Sequence, residues 1–159
     1  MDFYSKEIIK HFKNPRNVGK IKKPSAQGSA GNLRCGDIMN LYIKVGQNKK
    51  GEDVIKDISF ETFGCTVAVA NISLLTTMIK GKTVKQALKV KKEDLIKKLG
   101  PIPPFKIHCS LLAVDALVEA IYDYLLKSKK NIPSNLKKAH QRIRQDKKTI
   151  EEKYKNWQQ

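Results

Sequence analysis

The sequence predicts a small α+β domain in which an antiparallel sheet carries helices on one of its faces. Apolar and polar residues alternate over residues 38–46 and again over 54–63, which is typical of half-buried strands. Residues 66–80 and 110–127 are rich in Ala, Val, Ile and Leu over lengths that suit helices. With 159 residues, the chain can bury a core without the help of disulfides.

The elements at the start of the chain follow from its apolar spacing and its prolines. Residues 2–13 form a short amphipathic helix, since their apolar residues recur at helical intervals. Pro15 ends that helix, because the residue before a proline avoids helical geometry. Residues 18–36 are rich in Gly and Pro and indicate a loop with room for a short strand. The polar segment 47–53 then joins the two predicted strands into an antiparallel hairpin.

The middle of the chain predicts three helices and a proline-rich connection. The buried helix over 66–80 ends at Gly81, and Thr83 caps a short helix that follows it. Residues 91–99 give a further lysine-rich helical segment. The three prolines between Gly100 and Phe105 predict an extended, exposed segment.

The last third of the chain separates into an amphipathic helix and a basic extension. Residues 110–127 carry their large apolar side chains on one face, and Pro133 interrupts the pattern. Residues 134–157 are polar, basic and helix-prone, with few residues suited to a core. We therefore divide the chain into a domain of residues 1–127 and an extension of residues 128–159.

The net charge of +17 is concentrated toward the end of the chain. Residues 127–159 hold eleven Lys and Arg against three Asp and Glu. Such a charge attracts nucleic acid or acidic protein surfaces, although abundant lysines can also be merely solvated. The extension has only two aromatic residues, Tyr154 and Trp157, which argues against nucleic-acid binding by base stacking.

The cysteine count and the polar N-terminus indicate a cytoplasmic protein. Three cysteines in a chain of this size argue against a secreted, disulfide-stapled fold and for a reducing compartment. The first residues have neither the apolar core of a signal peptide nor the composition of a transit peptide. No apolar run approaches the roughly 20 residues that a membrane-spanning helix needs, so no membrane association is expected.

Each of the three cysteines has a second feature typical of a metal ligand. Asp37 and His108 each stand within two residues of a cysteine, namely Cys35 and Cys109, and Cys65 lies between a strand and a helix. Three thiols, an imidazole and a carboxylate are enough for a soft-metal or iron–sulfur site. Spacing alone leaves simpler alternatives, because free cysteines are usually buried as small apolar residues. His108 could equally be structural, and Asp37 could close a turn.

The local context of the cysteines favours ligation. Cys65 and Cys109 precede predicted helices, whose free N–H groups and partial positive charge stabilise a thiolate. Cys35 precedes Gly36, which lets the backbone approach a ligand closely. His108 and Cys109 are neighbours at a helix start and are expected to point apart, which argues against a cysteine hydrolase. Phosphate-binding glycine loops and a Gly-x-Ser-x-Gly element are absent from the sequence.

The two other histidines show no ligand-type residue near them in sequence. His11 lies in the first predicted helix and His140 in the basic extension. Neither is therefore a candidate ligand.

Taken in order, the motifs resemble those of one family. They are Tyr4-Ser5, Asn14-Pro15-Arg16-Asn17-Val18-Gly19, Cys35-Gly36-Asp37, Phe63-Gly64-Cys65, Lys80-Gly81-Lys82 and Pro103-Pro104-Phe105-Lys106-Ile107-His108-Cys109-Ser110. This combination resembles the iron–sulfur cluster assembly scaffolds of the IscU and NifU N-terminal type, over residues 2–127. The resemblance implies the three-stranded antiparallel sheet with helices on one face that is seen in SufE-like and NifU-like folds.

The resemblance also implies a role for each candidate residue. Cys35, Cys65 and Cys109 match the cysteines that hold the cluster, and His108 matches a fourth ligand. Asp37 matches an aspartate that tunes the stability and release of the cluster. Cys109 additionally matches the acceptor of persulfide sulfur. The expected cargo is a 2Fe–2S cluster built from iron and sulfur, or a 4Fe–4S cluster on a homodimer, and zinc can take the same ligands.

The partners implied by the resemblance are a cysteine desulfurase, apo-protein acceptors of clusters and a frataxin-like protein. The segment formed by Pro103, Pro104, Phe105 and Lys106 resembles a site for Hsp70 and J-type chaperones. The chain is accordingly expected to be a scaffold and not a turnover enzyme. Two alternatives remain at this point: a zinc-bound protein that relays persulfide sulfur, and a zinc-containing module that binds nucleic acid through its basic extension.

Overall fold

A single three-stranded antiparallel sheet organises the protein. The computed structural model describes residues 3–32 and 36–157, with side chains as far as residue 153. The strands are β1 (Ala26–Asn32), β2 (Asp37–Gln47) and β3 (Asp53–Phe63), and they lie in the order β1-β2-β3. The predicted α+β class and the predicted hairpin of β2 and β3 are confirmed.

The first five helices pack on one face of this sheet, and the last helix lies beside them at the edge of the sheet. They are α1 (Lys6–Lys13), α2 (Thr66–Ile79), α3 (Val84–Ala87), α4 (Lys92–Leu99), α5 (His108–Lys127) and α6 (Ser134–Trp157), with a 3-10 turn at Pro104–Lys106. Helix α5 lies on β1 and β2, α2 lies on β3, and α1 packs against α2. Within the described part of the chain, no helix combines the length and apolarity that a membrane crossing requires.

The helix starts follow from their capping residues. The Ser5 hydroxyl accepts a hydrogen bond from the Ile8 N–H and donates one to the Leu99 carbonyl, so it joins α1 to the end of α4. Thr83 and Gln86 form a reciprocal capping box on α3, as predicted for Thr83. Caps of this kind each stabilise a helix by about 1 kcal/mol.

Strand β1 is built from small residues, and for that reason its sequence predicts a loop more readily than a strand. Its Gly28 lies against α5 so closely that a Cβ atom would stand 2.2 Å from the Ala120 nitrogen and 2.4 Å from the Ala116 oxygen. Only glycine permits this approach of strand and helix backbones. The strand is therefore defined by its packing against α5 and not by an alternating pattern.

The proline-rich connection differs from its prediction. Instead of remaining extended as far as Lys106, the chain forms a 3-10 turn at Pro104–Lys106, in which the Lys106 N–H donates to the Pro103 carbonyl at 2.8 Å. Proline suits the first turn of a helix because that turn does not need its N–H. The following helix α5 begins at His108, two residues earlier than predicted.

Helix α6 confirms the predicted helical extension but packs more firmly than its polar sequence suggests. Leu136 and Ile143 are buried to 4% and 3% exposure. Arg142 forms an ion pair with the buried Asp115 on α5, with 2.7 Å between the guanidinium nitrogen and the carboxylate oxygen. The extension therefore has few apolar residues, as expected, but two of them, Leu136 and Ile143, are buried.

Candidate metal centre

Four of the five predicted site residues meet at one end of the sheet. Asp37 is the first residue of β2, and Cys65 immediately precedes α2. His108 and Cys109 are the first two residues of α5. Cys35, the fifth candidate, lies outside the described residues.

Asp37 anchors the site from inside the protein. Its side chain is fully buried, and its Oδ1 atom accepts a hydrogen bond from the Cys65 backbone N–H at 3.0 Å. Gly64 makes this possible, because a Cβ atom there would stand 2.6 Å from Asp37 Oδ1 and 2.9 Å from Ala68 Cβ. The Phe63-Gly64-Cys65 motif therefore brings a cysteine to a buried carboxylate.

The two described thiols share the other carboxylate oxygen. The Cys109 Sγ lies 3.3 Å from Asp37 Oδ2 and is fully buried. The Cys65 Sγ lies 3.8 Å from the Cys109 Sγ and 4.0 Å from the same Asp37 oxygen. The two thiols and the carboxylate thus form a compact triangle of potential ligand atoms.

His108 completes the cluster from its more exposed side. Its Nε2 atom is 3.7 Å from both Asp37 Oδ2 and Cys109 Sγ, and 30% of its side chain is exposed. Ligand atoms of Asp37, His108 and Cys109 all lie within 4.8 Å of one another. The expectation that His108 and Cys109 point apart is wrong, since the first turn of α5 lets both side chains reach the same point.

The two thiols have opposite protonation tendencies. The pKa of Cys65 is lowered to about 5, chiefly because the Cys109 thiol donates to its sulfur, while the Ala68 N–H at 3.4 Å adds to the effect against opposing burial. The pKa of Cys109 is raised, because its proton is held by Cys65 and because it is buried beside Asp37. The lowered pKa therefore favours the predicted thiolate at Cys65, whereas the raised pKa favours a thiol at Cys109, where the sequence also predicted a thiolate.

Lys106 adds a positive charge at the rim of the site. Burial is the largest single influence and lowers its pKa, but the charge of Cys65 and a hydrogen bond to it, together with Cys109 and Asp37, raise the pKa overall. In the sequence, Lys106 is a candidate only as part of the proline-rich segment Pro103 to Lys106. Its position means that a cation accompanies the thiolate before any metal is bound.

Sequence reasoning missed a buried hydrogen bond that supports the site. The Ser110 hydroxyl donates to the Asn71 side-chain oxygen at 2.7 Å, and the Asn71 amide donates to the Val67 carbonyl at 2.9 Å. Both side chains are fully buried. The available signal was a polar Asn within the otherwise apolar stretch that forms α2.

The two remaining histidines lie away from the site, as expected. His11 Nδ1 is 2.9 Å from the Ser73 hydroxyl, and His140 Nδ1 is 2.9 Å from a Glu119 carboxylate oxygen. Each therefore has a structural partner. Neither is close to the ligand cluster described above, which consists of Asp37, Cys65, His108 and Cys109.

The donor set fits a thiophilic metal or an iron–sulfur cluster. Two sulfurs, an imidazole nitrogen and a carboxylate oxygen are ligands that zinc and iron both accept. The buried hydrogen bond to Asp37 also fixes the orientation of the carboxylate, as partners of ligands in metal sites commonly do.

Comparisons with known proteins agree with this arrangement. The family model described as NifU-like N terminal domain matches residues 3–131. The iron–sulfur cluster assembly scaffold protein IscU 1 of Archaeoglobus fulgidus is 49% identical over 127 residues, which cover 80% of each chain. The iron–sulfur cluster assembly enzyme IscU of Drosophila melanogaster is 43% identical over 132 residues, or 81% of this chain and 82% of that protein.

Solved structures show the same fold. A putative iron–sulfur cluster assembly scaffold protein for the SUF system from Fervidobacterium islandicum superposes with a TM-score of 0.57 at 25% identity. The match covers 74% of this chain and 96% of that protein. The sheet and its helices thus follow an architecture already found in a cluster assembly protein.

Proposed function

Because the chain belongs to the NifU-like N-terminal domain family, we propose that it is a scaffold on which an iron–sulfur cluster is assembled before transfer to acceptor proteins. The observation that carries the proposal is the convergence of Cys65, His108 and Cys109 on Asp37, whose Oδ2 atom lies within 4.0 Å of a sulfur or ring nitrogen of each. Relatives named as cluster scaffolds support it over a zinc-bound persulfide relay, which is not favoured.

We assign the ligand roles as the motifs suggest. Cys35, Cys65 and Cys109 hold the cluster, and His108 provides an exchangeable fourth ligand. Asp37 controls how long the cluster is held. The burial of Asp37 and its direct bond to the Cys65 backbone support this assignment, because a carboxylate fixed there competes with the thiols for the same metal.

A mixed set of ligands suits a cluster that must be released to an acceptor protein. Imidazole and carboxylate bind iron less tightly than thiolate does, and both change protonation with their surroundings. His108 has 30% of its side chain exposed, whereas Asp37 and Cys109 are fully buried, so an incoming acceptor reaches His108 more easily than either of them.

Sulfur enters at Cys109 in this proposal. The Cys109 sulfur attacks the outer sulfur of a persulfide on the donor. A new S–S bond forms on Cys109, the S–S bond of the donor breaks, and the donor cysteine leaves as a thiolate. The proton of the Cys109 thiol must be given up in this step. Asp37 Oδ2, which lies 3.3 Å from that sulfur, is placed to receive it.

Further parts of the proposal rest on the family motifs. The cargo is a 2Fe–2S cluster, or a 4Fe–4S cluster held between two copies of the chain, and zinc occupies the same ligands when iron is absent. The protein acts in the cytoplasm as a scaffold rather than a turnover enzyme. Residues 1–127 form the scaffold domain, and residues 128–159 form its extension.

The partners follow from the same motifs. A cysteine desulfurase supplies sulfur with a frataxin-like protein, and apo-proteins accept the cluster. Hsp70 and J-type chaperones recognise the segment Pro103 to Lys106. The 74% exposure of Phe105 supports this last assignment, because the side chain projects where a partner can bind it.

Anaerobic reconstitution tests the central proposal. The full chain is incubated with ferrous iron, a cysteine desulfurase, cysteine and a thiol reductant that reduces persulfide sulfur to sulfide, and is then analysed for iron, acid-labile sulfide, zinc and visible absorbance. We expect equal amounts of iron and labile sulfide, and transfer of both to an apo-ferredoxin. Retention of zinc with persulfide but no labile sulfide would overturn the scaffold function.

A further inference from the structure

We propose that the cleft between α6 and the open face of the sheet binds an acidic segment of a partner protein. The cleft has a volume of about 960 Å³, within the roughly 300–1,000 Å³ over which proteins hold ligands. It is lined by β1, β2, α5 and α6 and by none of the four described ligand candidates. The inference is therefore independent of the scaffold function.

The wall formed by α6 is held in place by specific contacts. The His140 ring stacks on Tyr122 with 3.7 Å between ring centroids and an interplanar angle of 7°, while its Nδ1 lies 2.9 and 3.0 Å from the Glu119 oxygens. Further along the helix, Lys147 donates to the Ser29 carbonyl at 2.6 Å. Together with the two buried apolar side chains of α6, these contacts preform the cleft. A preformed cleft lowers the entropy lost on binding.

Two cations on this wall are uncommitted. Arg144 and Lys148 lie one turn apart on α6, line the cleft and are exposed. Among the described side chains, neither has a carboxylate oxygen within 4.0 Å, whereas the neighbouring Arg142 is paired with Asp115 and Asp146. Arg144 and Lys148 are therefore available to an anionic ligand.

Most of the carboxylates that line the cleft already have a hydrogen-bonding or charged partner. Glu119 is paired with His140, and Asp123 lies 2.9 Å from the Lys127 ammonium and accepts from the Gln27 N–H at 3.0 Å. Glu151 is the remaining acidic residue that lines the cleft. The charged side chains of the cleft that have no hydrogen-bonding or charged partner among the described residues, Arg144, Lys148 and Glu151, therefore carry a net positive charge.

The opposite wall offers neutral hydrogen-bonding groups. Gln27 and Asn40 line this wall with amide side chains, whereas the Tyr42 hydroxyl already donates its hydrogen to Glu61 at 2.8 Å. Amides of this kind bind the backbone of a peptide, while a basic wall binds its acidic side chains. The two walls therefore suit a polypeptide with spaced carboxylates.

Nucleic acid fits the same cleft less well. The Tyr122 ring that lines it is already stacked on His140, so it offers no open face to a base. Among the described residues that line the cleft, only Arg144 and Lys148 are exposed cations without a carboxylate partner, and two cations neutralise few charges of a backbone that is negative throughout. These two features favour an acidic protein segment.

The test uses the full-length protein and a fluorescein-labelled peptide in which glutamates alternate with serines, followed by fluorescence anisotropy. We expect the variant Arg144→Glu/Lys148→Glu to weaken binding by about tenfold or more, as charge reversal at two contacts should. The neutral variant Arg144→Gln/Lys148→Gln should fall between it and the unaltered protein. Circular dichroism checks that each variant remains folded.

The matched control is Lys137→Glu/Lys138→Glu, which makes the same change of charge on exposed positions of α6 that do not line the cleft. It should leave binding within about twofold, since long-range attraction between exposed charges is screened at physiological salt. Equal losses in the two reversed variants, or no binding by the unaltered protein, would overturn the proposal.

An RNA oligonucleotide provides the remaining comparison. If it binds more tightly than the peptide and depends on Arg144 and Lys148, the cleft is a nucleic-acid site and the proposal is wrong. No iron, sulfide or zinc enters these measurements. A negative result in the peptide-binding assay therefore does not contradict the scaffold function. Likewise, a failed reconstitution does not contradict the proposal for the cleft.

Discussion

Ser110 and Asn71 join the two helices that carry the described cysteines of the site. The Ser110 hydroxyl donates to the Asn71 side-chain oxygen at 2.7 Å across the α2–α5 interface, with both side chains fully buried. Ser110 follows Cys109 directly, and Asn71 lies less than two turns into the helix that Cys65 begins. The bond therefore holds the two helix starts in register while the 3.8 Å distance between their sulfurs is maintained.

Replacing Ser110 with Ala should destabilise the protein and loosen the site. The change leaves the buried Asn71 oxygen without its donor, at a cost of about 1–3 kcal/mol. Urea denaturation should show the loss, and cobalt titration should show weaker binding. The control Ser128→Ala removes a hydroxyl that also bonds to a helix carbonyl, but at the exposed end of α5. Comparable losses in both variants would contradict a special role for Ser110.

Replacing Gly64 with Ala should disrupt the site without touching a ligand. The new Cβ atom would stand 2.6 Å from Asp37 Oδ1, so the carboxylate or the start of α2 must move. We expect a loss of about 1–3 kcal/mol from overpacking, and weaker zinc binding measured by competition with a chelator. In the control Gly31→Ala, the new Cβ would have only ordinary contacts at 3.6 Å. Unchanged zinc affinity in Gly64→Ala would show that the contact is dispensable.

Alkylation of the metal-free protein should distinguish Cys65 from Cys109. Because the pKa of Cys65 is lowered to about 5, its thiolate is the main form above that pH and is lost as the pH falls through it. Cys109, whose pKa is raised, should react slowly at neutral pH. Peptide mass spectrometry after timed treatment with iodoacetamide measures each site separately.

The hydrogen bond from Cys109 can be tested by the same method. In Cys109→Ala the donor is lost, so the midpoint of Cys65 alkylation should move to higher pH. In Cys109→Ser a hydroxyl remains to donate, and the midpoint should move less. A midpoint that stays near pH 5 in the alanine variant would show that the Cys109 thiol does not stabilise the thiolate.

Replacing Asp37 with Ala should give a longer-lived cluster. Removal of the carboxylate takes away the competing, exchangeable oxygen and leaves the sulfur and nitrogen ligands. The measurement is the half-time of cluster transfer from reconstituted protein to an apo-ferredoxin. Asp57→Ala, which alters an exposed aspartate paired with Lys80, serves as control and should transfer at the original rate. Equal or faster release from Asp37→Ala would contradict the proposed role.

Replacing Arg142 with Ala should weaken the attachment of α6. The change leaves Asp115, which is 6% exposed, without its 2.7 Å partner. The expected cost is about 1–3 kcal/mol, between the values for exposed and buried ion pairs. Limited proteolysis should cleave the extension sooner than in Arg144→Ala, whose guanidinium is exposed and has no carboxylate partner among the described residues. Identical cleavage rates would mean that the ion pair contributes nothing to docking.

The sequence allowed the β2–β3 hairpin and the long helices to be predicted because their apolar spacing is set by which face is buried. Strand β1 lacked such a signal. Its Gly28 and small neighbours became a strand because α5 packs on them closely, and such tertiary packing is not visible in a local pattern. The docking of α6 was missed for the same reason, since it depends on single contacts such as Arg142 with Asp115.

The motifs singled out Asp37, Cys65, His108 and Cys109, which the structure brings together, but they did not reveal the protonation of the two thiols. Cys65 and Cys109 have similar positions near helix starts, and the sequence therefore predicted a thiolate at both. The structure places them 3.8 Å apart beside Asp37, where one shared proton favours a thiolate on Cys65 and a thiol on Cys109. Such coupling arises only when the residues meet in space.

Side chains or loop backbone form hydrogen bonds to the free edges of both outer strands, β1 and β3. At these positions another strand could otherwise pair with the sheet. On β1, Lys147 occupies the Ser29 carbonyl and Asp123 occupies the Gln27 N–H. On β3, the Phe60 N–H donates to Asn17 at 3.0 Å, and its carbonyl accepts from Gly19 at 2.8 Å. Exposed strand edges are the templates for polymerisation into fibrils. The sheet of this protein is therefore limited to three strands. The lysine-rich helix α6, which contributes Lys147, protects the β1 edge against aggregation.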